Sequence, residues 1–519
     1  MSLRTRREVF ADIGKGMFTA ALGSSLAFDL GLAPLWAGDE PGRLAFGDLE
    51  PLVAYLQDTP ADKMLTGVVE KLRNGTDLKT LVAAAALANA RTFGGEDYVG
   101  FHTLMALVPA FHMAQEETQP DRKPLAVLKV LYRNSTRLGE KGGSKAEVLH
   151  PVQPGPLAAD RHSGEQLRDV VRQKDLAAAE QTFAAIARGT PQESLDNLMV
   201  MVDDGTDVHR IVLVSRSWAL IDFVGKERAH TLLRQSVHYC VSAEKNPGYN
   251  LEARTVLPKL LDQYKLLGTK PGTKLADDAW VAKFADTLFT STPAQAADAC
   301  AAALAEGMSA DAITQAIAMA ANQLVLRDEG RPKEWAQPNK PIGSIHGDSI
   351  GVHACDTANA WRNLSRAGDR RTQVTSLILS AFQVARDRTP RAAEFLKWDA
   401  YPRSEHLEKV RSVPADGLMK ELDGAIREKD QARAAALTYR LGEISKDVSS
   451  EVFALFRGYA VSEDGALHAE KYFRTVSEEF AAARPAFRWR QLVGLSRVTA
   501  SEYGQPAPGF KQSCDLLKG

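Results

Sequence analysis

Ser344–Trp361, SIHGDSIGVHACDTANAW, carries His346 and His353 and, three residues after the second histidine, Asp356. On a helix, residues three apart share a face, so His353 and Asp356 point into one space. An imidazole beside a carboxylate is the beginning of a metal site, but the spacing recurs by chance in a chain of 519 residues. Its weight comes from recurrence. GFHTLMALVPAF from Gly100, DVHRIVLVSRSW from Asp207 and GALHAEKYF from Gly465 set His102, His209 and His468 in comparable surroundings.

In the first three copies a polar break and a second apolar stretch follow: LAVLKVLY from Leu125, AHTLLRQSVHYC from Ala229 and VTSLILSAF from Val374. Each reads as a helical hairpin whose first helix bears its histidine near the start. Upstream, RNGTDLKTLVAAAALA resembles AEGMSADAITQAIAMAA, with Gly75 matching Gly307. RQKDLAAAEQTFAAIA resembles REKDQARAAALTYRLGE, with Lys174-Asp175 matching Lys429-Asp430. Units that alternate in this way point to duplication of a half of roughly 250 residues. The expected fold is therefore all-α, with helical-hairpin repeats forming two similar halves around a central histidine site. The halves are residues 38–266 and 275–519, joined by a linker at 267–274, LGTKPGTK. Asp77 and Ser309 are expected to cap helices, and Pro109 to kink the His102 helix or end it early.

The first 37 residues read as a twin-arginine export signal: Thr5-Arg6-Arg7, an uncharged run from Met17 to Phe28, and Leu35-Trp36-Ala37. The expected location is outside the cytoplasm, with a membrane tether if the signal is retained. No other stretch is long and apolar enough to span a bilayer. A formal net charge of −1 gives no footing for nucleic acid. Cys240, Cys300, Cys355 and Cys514 are scattered without a CxxC pair, which excludes a zinc ribbon or c-type haem attachment; no disulfide pairing can be deduced from them. There is no Gly-rich nucleotide fingerprint, no GxSxG and no HExxH.

Converging neutral imidazoles suit iron, copper, nickel or zinc. The residues three beyond each histidine are Met105, Val212, Asp356 and Lys471. The first two would pack beside the site, whereas Asp356 and Lys471 would ligate, pair with each other or orient a ligand. The bland alternative sends Lys471 to solvent with its charge intact. His230, in HTLLRQSVHY, echoes His102 in HTLMALVPAFH, so the second unit supplies either His209 or His230. An inserted loop, RPKEWAQPNKPIG at 331–343, delivers His346 and forms either one wall of the site or a surface excursion. His112, His150, His162, His238 and His406 read as surface or packing residues.

VHRIVLVSRSWALIDFVG from Val208 and FHTLMALVPAFHMA from Phe101 resemble the questin-oxidase-like family. The resemblance implies a helical protein in which several histidines, in at least one member with a carboxylated lysine, hold a non-haem iron that activates dioxygen for oxidative cleavage of aromatic polyketides. By that resemblance His102, His209, His353 and His468 are ligands and Lys471 is the candidate modified lysine. The expected function is an exported metal-dependent oxidoreductase, a non-haem iron oxygenase or one using another first-row divalent metal. Its partners would be dioxygen and a small organic, aromatic substrate. The competing expectation is a non-catalytic helical repeat scaffold in which the histidines serve only the core.

Overall fold

The computed structural model describes residues 42–248, 250–410, 414–444 and 448–518, and the export signal expected at 1–37 lies outside them. Among the described residues the chain is all-helical, with short 3-10 turns and no β-strand. No described helix is long and apolar enough to cross a membrane.

Two alanine-rich helices lie deep in the molecule. Leu78–Phe93 is buried continuously from Leu81 onward, and its N-terminus is closed by Asp77, which accepts from the Thr80 amide. Ala310–Arg327 is buried from Ala312 to Leu326 and is capped by Ser309. Both caps stand where the sequence puts them, because short polar side chains satisfy amides the first turn leaves over. Small side chains also let neighbours come close. A Cβ on Gly351 would lie 2.5 Å from the Val325 amide nitrogen, so the His353 helix rests directly on the backbone of Ala310–Arg327.

Each histidine opens the first helix of a hairpin. The pairs are Tyr98–Glu116 with Leu125–Lys141, Val208–Val224 with Ala229–Ala243, Ile350–Ala367 with Arg370–Arg388, and His468–Ala482 with Trp489–Glu502. The four first helices pack in a closed cycle: the His102 helix on the His209 helix, that on the His353 helix, that on the His468 helix, and the last back on the first. Helices from either side of the 267–274 segment therefore touch, and one apolar core runs through both stretches.

Positions matched between the upstream segments share local conformation. Gly75 and Gly307 have φ of 96° and 80°, and Lys174 and Lys429 have φ of 64° and 60°. Asp175 accepts from the Ala178 amide, and Asp430 from the Arg433 amide. Pro109 does not end its helix, which continues to Glu116. The missing amide removes one rung, and burial from Gly100 to Ala110 holds the rest. All four cysteines are free thiols.

Candidate functional site

The helix cycle brings four imidazoles into mutual contact. Ring centroids are 4.8 Å apart for His102 and His209, 5.9 Å for His209 and His353, 5.4 Å for His353 and His468, and 5.1 Å for His468 and His102. His209, His353 and His468 sit in the first turns of their helices and His102 opens the second, so all four lie near helix N-termini. Asp97 and Asp207 cap the His102 and His209 helices.

The fourth helix starts differently. Ala466 and Leu467 both adopt positive φ, 48° and 67°, immediately before His468. Left-handed backbone costs about 1–2 kcal/mol per non-glycine residue, and such strain gathers where a side chain must be aimed. Ala466 is exposed, so Ala466→Gly is expected to stabilise the fold by about 1 kcal/mol, read as a higher urea midpoint at unchanged slope. Across from it, a Cβ on Gly347 would lie 2.0 Å from the His468 Cβ. Only glycine lets the inserted loop close over this histidine.

Protonation follows from the hydrogen bonds. His102 Nδ1 lies 2.7 Å from the Tyr98 carbonyl and His468 Nδ1 lies 3.2 Å from the Ala466 carbonyl, so each Nδ1–H donates and each Nε2 keeps its lone pair. His102 Nε2 and His209 Nε2 are buried without a hydrogen-bond partner. His353 Nε2 and His468 Nε2 face each other at 3.3 Å. Burial, aided by the nearby Lys471 charge, holds the His102 and His468 imidazoles far below the usual range, and burial with His209 and Lys471 holds His353 down to about 3. These are neutral bases. Among the described residues, however, no group of three or more His, Cys, Asp or Glu stands ready to hold an ion. The rings are packed together rather than arranged in a coordination shell.

Lys471 is 3% exposed, which overturns the solvent-facing alternative for it. It is caught because the His468 helix is enclosed by its neighbours, leaving the stem no route to water. Burial lowers its ammonium to about 8, against the opposing pull of Asp356 and Glu470. Asp356 is buried too; desolvation raises its carboxyl, which accepts from the Thr475 hydroxyl at 2.6 Å. Met105 and Val212 are buried, as packing residues should be.

The remaining candidates separate. His230 stacks on Phe183, with centroids 5.4 Å apart, whereas His209 lies against His102 and His353, so His209 is the second unit's contribution. The echo with His102 misleads because His230 opens the second helix of its hairpin rather than the first. His346 is buried, with Nδ1 3.8 Å from Glu502, outside the ring of four. The inserted loop is pinned: Arg331 and Lys340 each lie 2.7 Å from the Asp348 carboxylate, just before the His353 helix.

A cavity of about 800 Å³ reaches His353. Its wall includes Asp207, Val208, Ile350, Arg386 and Asp387. Sequence reasoning did not single out these residues as a site. Asp207 carried a local clue, a capping residue two positions before His209, whereas Arg386 and Asp387 arrive from the far end of a hairpin. Tyr98 was also missed, although it sits one turn before His102; its ring lies 4.4 Å from His102 and 5.5 Å from His209.

Compared with protein-family models, curated proteins and solved structures, the chain shows no match.

His238 is not the plain packing residue its sequence suggests. It is buried, with Nδ1 2.8 Å from Glu96 and Nε2 2.7 Å from Glu180. Two carboxylate acceptors require two N–H donors, and these bonds raise its pKa against burial, with Arg234 opposing. The clamp ties the turn before the His102 helix to two other helices. Because the folded value exceeds the ordinary 6.5, the stabilisation is complete below that pH and is lost as pH rises through the folded value. The unfolding free energy of wild type relative to His238→Gln is expected to shrink over that window, measured by urea titration at stepped pH.

Proposed function

We propose that His102, His209, His353 and His468 hold one first-row metal ion, a non-haem iron in the leading reading, and that the chain is a metal-dependent oxidoreductase using dioxygen on a small organic substrate. The observation that supports this is the meeting of four imidazoles from four separate hairpins, with two buried Nε2 atoms unpartnered and two others 3.3 Å apart. A buried polar atom without a partner calls for an explanation, and an ion would take up the two unpartnered Nε2 atoms together with the facing pair. Imidazoles sharing an ion at roughly 2 Å would have centroids about 5 Å apart, close to the spacing of these rings.

The chain's own groups would do the rest. The Tyr98 and Ala466 carbonyls hold two rings in the tautomer that offers Nε2. Asp356, steadied by Thr475, and the buried Lys471 lie at one side, where the lysine would be neutral, carboxylated or paired with Asp356. The cavity at His353 admits substrate. When bound, the ion would supply a redox-active Lewis acid for the reaction of dioxygen with substrate. The Thr5-Arg6-Arg7 segment fits this reading, since twin-arginine export carries proteins folded with their cofactor.

The competing reading is a helical binding scaffold with no metal. Metal analysis of protein purified without a histidine tag decides between them, with dioxygen uptake as the second measurement. A metal-free, fully helical chain that does not take up added Fe(II) would return the protein to the scaffold reading.

A further inference from the structure

The cavity beside His353 has a chemical character that points to its ligand. Its volume of about 800 Å³ lies within the range of small-molecule sites. Val208, Pro293, Ile350 and Pro390 give it an apolar wall. Among the described residues, the charged lining consists of the carboxylates of Asp207, Glu252 and Asp387 and the guanidinium of Arg386.

These charges are not equally free. Asp207 accepts from the His209 and Arg210 amides and from the Tyr239 hydroxyl. Arg386 directs Nε and Nη2 at one oxygen of Asp387, Oδ1, at 3.2 and 2.6 Å. The other oxygen, Oδ2, is buried with no hydrogen-bond partner. An anionic ligand would meet an excess of carboxylates and a guanidinium already engaged. A ligand with N–H donors and positive charge would complete Asp387 and balance the wall.

We infer that this cavity takes an organic cation, a primary or secondary amine on an apolar body, with its ammonium at the Asp387 carboxylate and its body along Val208 and Ile350 toward His353. Only the reaction that follows binding rests on the metal-centre reading; recognition of the amine does not need the ion. Desolvation raises the Asp387 carboxyl, with Arg386 opposing.

Tryptamine, tryptophol and indole-3-acetate share one apolar body and differ in charge, and calorimetric titration of the full chain with each tests the assignment. Tryptamine is expected to bind at least about ten-fold more tightly than tryptophol, the equivalent of one charge-assisted hydrogen bond, and indole-3-acetate most weakly. Asp387→Asn should erase the preference for the amine while tryptophol binds as before, which also reports an intact pocket. Glu252→Gln, at an exposed position, should reduce tryptamine binding by a smaller factor and covers the case in which Asp387→Asn fails to fold. Binding of indole-3-acetate as tight as that of tryptamine, or no measurable binding of tryptamine, would overturn the inference. Amine selectivity in a protein that takes up no metal would uphold it while removing the oxidoreductase reading; metal uptake with acid selectivity would do the reverse.

Discussion

Wild-type protein purified without a histidine tag is expected to carry about one first-row metal ion per chain, and His353→Ala to lose it. Loss of an outer partner of a metal ligand weakens affinity about 10–100-fold, so loss of a ligand itself should cost more than about 100-fold. Helicity by circular dichroism should hardly change, because the His353 ring reaches the cavity wall and His468 and supports no helix end. His230→Ala provides the contrast: that ring packs on Phe183 outside the cluster, and its variant should keep the metal. Full retention of metal by His353→Ala would remove His353 from the ligand set.

Lys471 yields the second large effect. Lys471→Ala and Lys471→Arg are both expected to lose most metal and turnover. Alanine removes the side chain that faces Asp356, and the arginine guanidinium stays charged where four imidazoles crowd together. Lysine differs because burial brings its ammonium down to about 8, within reach of the neutral form that carboxylation or ligation requires. Breaking a buried charge pair typically costs about 3–5 kcal/mol; Asp356, already desolvated, should take up a proton and soften that loss. Metal content therefore has to be read beside the unfolding midpoint. An arginine variant with wild-type metal content and turnover would confine Lys471 to packing.

Some of this site was legible along the chain. The recurrence of a histidine at the opening of an apolar helix singled out His102, His209, His353 and His468, and those are the four rings in contact. Asp77 and Ser309 declared helix starts through short-range chemistry, and the left-handed Lys174 and Lys429 fall at matched positions before their capping aspartates. The choice between His209 and His230 was not legible, since both follow a break and precede an apolar run. Only the packing of first helices against one another separates them. Likewise, His238 reveals its two glutamate partners only across separations of 142 and 58 residues.

Local periodicity, capping and repeated motifs determined that the chain is all-helical and which side of each helix carries a histidine, because these depend on residues within a turn or two. The tertiary structure decided which helices close a cycle, that Lys471 has no path to water, and that Gly347 covers His468. It also joined Asp207 and Ile350 to Arg386 and Asp387 in one cavity. Burial and the pKa of a buried group depend on everything that surrounds it, and those surroundings come from distant segments. A helix's own sequence specifies the face it offers, but the partner that meets this face is set by packing of the whole chain.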